Sequence, residues 1–150
     1  MKLPFPDQKR QIFFTRMSMR WGDMDAYGHA NNAIYLRYFE EARILWITSP
    51  DRPHMAADGT GPVVANIFCN FYRPLEYPAE MLIKLYVTEP GRSSCEVWMT
   101  IERTDQPGVI HADGGATMVW IDFAQQKAVP LPDWLREMLT ASEAPVPSST

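Results

Sequence analysis

The segment Arg20–Arg43, RWGDMDAYGHANNAIYLRYFEEAR, carries most of the information about the fold of this chain. Its first half is rich in turn-forming and helix-capping residues, and it places the carboxylate of Asp25 a few residues before a helix start. The unpaired N–H groups in the first turn of a helix can polarise a carbonyl oxygen, and an acidic side chain beside them can hold a water molecule. These are the two elements needed to hydrolyse an activated acyl group without a metal ion or a cofactor.

The second half of the segment predicts one long helix. From Ile34 onward the apolar residues fall within an arc of about 140° on a helical wheel. They are Ile34, Tyr35, Tyr38, Phe39, Ala42, Leu45 and Trp46, and the polar residues Arg37, Glu40, Glu41 and Arg43 lie largely outside that arc. Asn31 is the predicted N-cap, and Ser49 before Pro50 ends the helix because a residue that precedes proline is disfavoured in the α region. Leu36 and Ile44 are apolar residues outside the arc, which predicts contacts to a partner or to a curved sheet.

Composition and net charge limit the classes of protein to which this chain can belong. A chain of 150 residues with 46% apolar residues can form one domain with its own core. The net charge is −4 and the basic residues are scattered, so no nucleic-acid interface is expected. The N-terminus lacks the apolar core of a signal peptide, and no apolar run is long enough to span a membrane. Cys69 and Cys95 lie in apolar runs and are expected to be buried free thiols, so we predict a soluble cytoplasmic protein.

The rest of the chain predicts strands joined mostly by short turns. The strand-like segments are Ile12–Trp21, Val63–Arg73, Met81–Thr88, Cys95–Ile101 and Val109–Phe123, with hairpin turns at 89–93 and 105–108 and a longer loop from Pro50 to about Pro62. Val63–Arg73 is almost continuously apolar, which is typical of a strand covered on both faces. Gly114-Gly115 predicts a bulge or a close backbone approach. Pro132–Thr140 predicts a short terminal helix, and residues 141–150 a loose tail.

This order of elements is one strand, one long helix and then four strands, and the helix is the only long element that can cover the apolar face of the sheet. With the pattern Asp-x-Asp-x-x-Gly-His-x-Asn-Asn at 23–32, it resembles the hot-dog fold, and more narrowly the 4-hydroxybenzoyl-CoA thioesterase-like branch of acyl-CoA thioesterases. The resemblance extends roughly from Phe13 to Leu135. It implies an α+β domain over residues 1–140, in which an antiparallel five-stranded sheet wraps around one long central helix.

The resemblance also implies an activity and an assembly. The expected substrate is an acyl-CoA thioester, which is hydrolysed without a cofactor because coenzyme A is itself part of the substrate. The expected assembly is a homodimer or homotetramer in which each active site lies between two subunits. The acyl group is not specified, because this branch handles aromatic, short, medium and long acyl groups on one scaffold.

Four residues of the first segment receive roles from the resemblance. Asp25 takes the place of the catalytic carboxylate, acting either as general base or as nucleophile. The backbone amide of Asn32 takes the place of the group that binds the thioester carbonyl. Gly28 lies where the chain must bend sharply between the carboxylate and the helix. For His29 three roles stay open: a base, a donor that orients the substrate, or a residue that only shapes the turn.

Four further residues are candidates for substrate binding. Asn31 and Tyr35 are candidates to line the site because they lie close to it in sequence, although the apolar pattern of the helix favours a core position for the ring of Tyr35. Arg92 and Ser94 lie on a predicted hairpin, where the resemblance suggests contacts to the nucleotide end of coenzyme A. A solvated turn without any ligand is an equally good interpretation of that hairpin.

Other functions fit the sequence less well. Hot-dog hydratases use an Asp-x-Asn-Pro-x-His arrangement, whereas Asp25 and His29 are four residues apart with no Asn-Pro between them. A non-catalytic acyl-CoA sensor would usually need an output module, and the chain has no helix-turn-helix pattern. Asp23, Asp25 and His29 could in principle hold a cation, but no metal site is predicted because the histidines lack ligand spacing. A Gly-x-Ser-x-Gly elbow and a dinucleotide-binding glycine loop are also missing.

Overall fold

The computed structural model describes residues 4–48 and 58–141, together with the backbone of residues 146–147. The elements in chain order are β1 (Arg10–Ser18), a 3-10 turn (Trp21–Asp23), α1 (Asn32–Ile47), β2 (Thr60–Phe71), β3 (Glu80–Val87), β4 (Ser94–Arg103), β5 (Ile110–Asp122), β6 (Lys127–Ala128), α2 (Asp133–Thr140) and β7 (Val146–Pro147). Most of the predicted loop at 50–62 and most of the predicted tail at 141–150 lie outside the described residues.

The strands form one sheet in the order β2-β5-β4-β3-β1-β7, with β6 pairing to β5. All the long strands pair antiparallel, and only the two-residue contact between β1 and β7 is parallel among the described pairings. The predicted hot-dog fold, an antiparallel sheet around one long helix with a short C-terminal helix, is confirmed. Strands β6 and β7 were not predicted, because a strand of two residues leaves no alternating pattern in a sequence.

The core lies between α1 and one face of the sheet. The residues predicted to alternate inward on β3 and β4 are buried, among them Ile83, Leu85, Val97, Met99 and Ile101. From the helix, Phe39 and Trp46 are fully buried against this face. The close approach predicted at Gly114 is present, because a Cβ there would meet the carbonyl oxygen of Phe68 and would lie 2.8 Å from Cε2 of Phe39. The register shifts of the sheet lie elsewhere, so this glycine marks close packing rather than a bulge.

The end of β1 differs from the prediction. The strand ends at Ser18 instead of Trp21, and the side chain of Trp21 is 70% exposed. The chain turns early because the carboxylate of Asp23 accepts hydrogen bonds from the backbone N–H of Arg20 at 3.0 Å and from the hydroxyl of Tyr38 at 2.8 Å. These bonds form a short 3-10 turn that redirects the chain toward the start of α1.

Strand β2 also differs from its prediction. A single chain does not cover both faces of this strand, because β2 lies at the end of the strand order and Val63, Val64 and Phe71 are exposed; coverage by a second chain stays a prediction. The apolar composition of this strand therefore reflects a surface that the chain by itself leaves open.

On α1, Arg43 was predicted on the polar side, yet its side chain is buried. Its pKa is lowered because burial disfavours the charged guanidinium, an effect that the charge of Glu40 partly offsets. Ile44 is exposed, as expected for an apolar residue outside the main arc.

Candidate active site

A tight turn between the 3-10 turn and α1 presents Asp25. The N–H of Asp25 donates to the carbonyl oxygen of His29 at 2.7 Å, and the N–H of Gly28 donates to the carbonyl oxygen of Asp25 at 3.1 Å. Gly28 has a φ of +77°, a left-handed conformation that glycine adopts without the steric cost of a Cβ. The sharp bend predicted at Gly28 is therefore present. A further bond from the N–H of Tyr77 to the carbonyl oxygen of Gly28, at 3.0 Å, fixes the turn to the segment after β2.

The two oxygens of the Asp25 carboxylate have different surroundings. Oδ1 accepts hydrogen bonds from the backbone N–H groups of Tyr27 at 2.8 Å and His29 at 3.2 Å. Oδ2 has no hydrogen-bond or ion-pair partner within the described part of the chain, and the side chain is partly exposed. One oxygen thus fixes the orientation of the carboxylate, while the other is available to a water molecule or a carbonyl carbon.

Helix α1 begins directly after this turn. The side chain of Asn31 caps the helix, since its Oδ1 accepts the N–H of Ala33 at 3.0 Å, as predicted. Asn32 is the first residue of the helix and is exposed, and its N–H is one of the first-turn donors that the helix itself cannot pair. The N–H of Asn31 donates to the carbonyl oxygen of Asp23 at 2.9 Å, so the helix start is held next to the Asp25 turn.

Asp23 has a structural position beneath the turn. Its carboxylate is buried and accepts the Tyr38 hydroxyl and the Arg20 N–H, with the Arg20 Nε at 3.8 Å. Burial raises the pKa of Tyr38 well above its usual value, and the hydrogen bond to Asp23 raises it further. The phenol therefore remains a donor, and the pair connects the first strand to the helix. Of the two aspartates in the motif, Asp25 is the one whose unpartnered oxygen belongs to a partly exposed side chain, because Asp23 is buried.

The imidazole of His29 lies near Glu76 and forms no hydrogen bond to Asp25 within the described residues. Its Nε2 lies 3.8 Å from Oε1 of Glu76, and the backbones of these two residues form an isolated antiparallel bridge. Only the backbone N–H and carbonyl of His29 bond to Asp25. The turn-shaping role of His29 is therefore present in the structure, while a role of its ring in catalysis stays a prediction.

Tyr35 lies below the turn, inside the core. Its ring is 2% exposed and packs edge-on against Phe71, with ring centroids 4.9 Å apart. Its hydroxyl oxygen accepts the N–H of Leu75 at 3.2 Å. Burial raises the pKa of Tyr35, the bond from Leu75 opposes this rise, and the negative charge of Asp25 adds to it. Tyr35 is therefore both a core residue and a neighbour of the Asp25 turn.

The two free cysteines are not placed as nucleophiles. Cys95 is buried and Cys69 is partly buried, in agreement with the expectation of free thiols within the fold. Burial raises the pKa of each thiol to about 12, and nearby carboxylates, Asp113 for Cys69 and Glu96 for Cys95, raise it further. Both thiols are therefore protonated near neutral pH, the form in which a cysteine is a poor nucleophile.

Arg92 and Ser94 lie far from Asp25 within one chain. β1 and β3 pair antiparallel with Ser18 opposite Glu80 and Arg10 opposite Val87, so Asp25 follows one end of the sheet and Arg92 the other. The eight residues of β3 separate these ends by about 23 Å. The structure does not bring the hairpin and the carboxylate together, and they can share a site only if a second chain supplies the hairpin.

Some residues around the site were missed by the sequence reasoning. Leu75 and Glu76 contact the turn from about 45 residues away, as the carbonyl oxygen of Leu75 accepts the Ala30 N–H at 2.8 Å. Asp113 is buried on β5 and accepts hydrogen bonds from Asn70 at 2.9 Å and from Tyr72 at 3.0 Å, which anchors the end of β2. A charged residue inside an apolar strand pattern was the available signal for Asp113. No such signal marks Leu75.

The described part of the chain contains neither a metal-binding cluster nor a membrane-spanning helix. Within 4–48 and 58–141 no three His, Cys, Asp or Glu side chains are grouped so that they could hold a metal ion. In the same ranges no helix is long and apolar enough to cross a membrane.

The fold, with an aspartate held beside a helix N-terminus, defines a class of proteins, the hot-dog thioesterases. Residues 19–139 match the model of the thioesterase-like superfamily, and the chain belongs to this family. The long-chain acyl-CoA thioesterase FadM from Escherichia coli (strain K12) is 33% identical over 127 residues, which cover 83% of this chain and 95% of FadM. The predicted class, a thioester hydrolase, is confirmed by this membership.

Solved structures agree with this assignment. The PA2801 protein from Pseudomonas aeruginosa superposes with a TM-score of 0.75 at 30% identity, covering 85% of this chain and 97% of that protein. The DHNA-CoA thioesterase from Staphylococcus aureus superposes with a TM-score of 0.72 at 20% identity, covering 83% of this chain and 87% of that enzyme. Because the sequence identity to this second protein is low, its structural similarity supports the fold and not the activity.

Proposed function

We propose that this thioester hydrolase cleaves acyl-CoA to a free carboxylic acid and coenzyme A, with Asp25 and the backbone N–H of Asn32 as the reacting groups. The observation that carries the proposal is the available Oδ2 of Asp25 beside an exposed first-turn amide of α1. The thioester carbonyl oxygen binds at the Asn32 N–H. There the helix dipole and the first-turn donors stabilise the negative charge that develops on this oxygen.

Two routes follow from this geometry. As general base, Asp25 takes a proton from water while the water oxygen attacks the carbonyl carbon; the tetrahedral intermediate expels the CoA thiolate, which is then protonated from Asp25. As nucleophile, an oxygen of Asp25 attacks the carbonyl carbon and expels the thiolate, and water then hydrolyses the mixed anhydride. A single turnover in oxygen-18 water separates them, because label in the Asp25 carboxylate excludes a pure general-base route.

The acyl preference is the first measurable consequence. FadM, the relative described above, is a long-chain acyl-CoA thioesterase, and the exposed ring of Phe71, which packs against Tyr35, offers apolar surface near the site. We expect cleavage of acyl-CoA thioesters with a higher kcat/KM for apolar acyl groups than for charged ones. A panel of straight-chain acyl-CoA substrates of increasing length, with benzoyl-CoA as an aromatic member, measures this preference.

The same panel discriminates the other candidate functions. Hydration of an enoyl-CoA in the absence of any thioester cleavage would replace this proposal by a hydratase. Tight binding of acyl-CoA without turnover would favour a sensor.

Assembly is the second consequence. Val63, Val64 and Phe71 on β2 and Ile44 on α1 are apolar and exposed, and β2 presents an edge of the sheet. We propose a two-fold homodimer, alone or within a homotetramer, in which the two β2 edges meet and each site receives residues from both chains. This arrangement also lets Arg92 and Ser94 of one chain approach Asp25 of the other.

The dimer is expected to bury about 2,000 Å² or more. Light scattering at micromolar concentration should therefore give at least twice the mass of the 17.2 kDa chain. A fully active monomer would contradict the shared site.

The remaining parts of the proposal concern the domain bounds, the localisation and the cofactor requirement of the enzyme. We propose a single domain over residues 1–140 that works in the cytoplasm. No cofactor is proposed, since the chemistry described for Asp25 and Asn32 needs only water and the substrate's own coenzyme A.

A further inference from the structure

We propose that the hydroxyl of Tyr35 is a second hydrogen-bond donor to the thioester carbonyl oxygen, next to the N–H of Asn32. The inference rests on the proposed function and gives Tyr35 a catalytic role in place of pocket lining. Tyr35 follows Asn32 by three residues, so its side chain starts within one helical turn of the Asn32 amide. Side chains on a helix lean toward its N-terminus, and the phenol of Tyr35 therefore extends toward the first-turn amides.

The position of the hydroxyl is fixed relative to the Asp25 turn. Its oxygen accepts the N–H of Leu75 at 3.2 Å, and the carbonyl oxygen of the same residue accepts the N–H of Ala30 at 2.8 Å. Ala30 lies between Asp25 and Asn32 in the turn itself. The ring edge contact with Phe71 restrains the phenol from the other side. The hydroxyl is thus held by the same backbone segment that holds the catalytic turn.

The proton of this hydroxyl has no acceptor within the described ranges, although the side chain is 2% exposed. A buried donor without an acceptor is unfavourable, so such a group in a site indicates a ligand atom or water that accepts from it. Burial, together with the negative charge of Asp25, raises the pKa of Tyr35, so the phenol stays protonated and able to donate at neutral pH. A carbonyl oxygen that gains negative charge in the transition state is a strong acceptor for such a donor.

Tyr38 provides the internal comparison. It is also a buried tyrosine of α1, and its hydroxyl lies near the same turn. Its proton, however, is already donated to Oδ2 of Asp23 at 2.8 Å. The structure therefore assigns the open donor to Tyr35 and a structural bond to Tyr38.

The first test compares Tyr35→Phe with Tyr38→Phe in the full chain, using the acyl-CoA that the wild-type protein cleaves best. Tyr35→Phe keeps the ring contact with Phe71 and removes the donor, so kcat is expected to fall about 10²-fold with little change in KM. Tyr38→Phe also removes a buried hydroxyl, and kcat is expected to stay within about threefold of wild type at a temperature where both variants are folded. A Tyr35→Phe enzyme with kcat within about threefold of wild type would overturn the proposal.

Tyr35→Phe also removes the acceptor of the Leu75 N–H, so a second measurement separates catalysis from folding. A fluorinated tyrosine at position 35 keeps the hydroxyl and its bond from Leu75 but lowers the phenol pKa. The alkaline limb of the kcat–pH profile is expected to move to lower pH, because the donor is then lost by ionisation at lower pH. An unchanged profile would refute a donor role.

A wild-type protein that cleaves no thioester would refute the proposed function itself, whereas an active wild type with an unaffected Tyr35→Phe variant would refute only the role of Tyr35.

Discussion

Asp25→Asn is expected to lower the turnover of acyl-CoA by about 10²–10⁴-fold, the range for removing a positioned general base. The amide has nearly the same shape, and its oxygen can still accept the N–H groups of Tyr27 and His29 that orient the side chain. What the amide cannot supply is the second, unpartnered carboxylate oxygen, which in the proposed mechanism accepts a proton or attacks the carbonyl carbon. The free energy of unfolding should hardly fall, because functional carboxylates are often not optimal for stability. Steady-state kinetics and thermal melts of the purified variant measure both quantities.

Asp23→Asn is the matched control for this experiment. Asp23 lies two residues away, but its carboxylate is buried and bonded to Tyr38 and Arg20. We expect this variant to lose stability more than it loses turnover, which is the opposite pattern. Full activity in a well-folded Asp25→Asn protein would remove Asp25 from the mechanism.

Gly114→Ala is expected to lower the free energy of unfolding by about 3 kcal/mol, at the upper end of the cost of overpacking a core. A Cβ at this position would meet the carbonyl oxygen of Phe68, which belongs to the neighbouring strand and cannot rotate away, and the ring of Phe39 at 2.8 Å. The helix and β2 would both have to shift. For a chain of this length the change corresponds to a fall in Tm of roughly 10 °C, which urea titration and thermal melts can measure.

Two other glycines make this a graded series. At Gly115 an added Cβ would lie 3.1 Å from the side chains of Phe68 and Trp98, which have some freedom to move. At Gly22 nothing lies within 4 Å, and the backbone is not in the left-handed region. The expected order of destabilisation is Gly114, then Gly115, then Gly22. Equal stability of the three alanine variants would contradict the close packing between α1 and β5.

Local features of the fold could be predicted because local chemistry determines them. The apolar periodicity from Ile34, the capping side chain of Asn31 and the bend at Gly28 each depend on neighbours within a few residues. The end of β1 could not be predicted, because the bond that ends it joins Asp23 to Tyr38, fifteen residues further along the chain. The apolar pattern of β2 predicts that this strand must be buried. The pattern does not specify whether the same chain or a second chain covers the strand.

In the candidate site too, some features follow from the local sequence and others depend on distant parts of the chain. Asp25 and Asn32 are brought together by seven residues of chain, so the sequence alone places the carboxylate at the helix start. The support beneath them comes from Leu75, whose bonds to Ala30 and Tyr35 depend on the return of the chain after β2. The distance of Arg92 from Asp25 is a property of sheet topology, and motif spacing carries no information about it.

Strand β2 has a consequence for how this protein must be handled and engineered. Its twelve residues form an open strand edge of about 40 Å, and several of its side chains are apolar and uncovered in a single chain. Strands from other chains can pair with such an open edge. Until the edge is covered, newly synthesised chains can therefore either pair correctly or aggregate. Pro62, near the start of β2, and the irregular register between Val64 and Asn66 interrupt this edge at one end only. If the proposed dimer contacts were weakened, we therefore expect insoluble protein rather than a soluble monomer, unless charged residues were introduced along the edge at the same time.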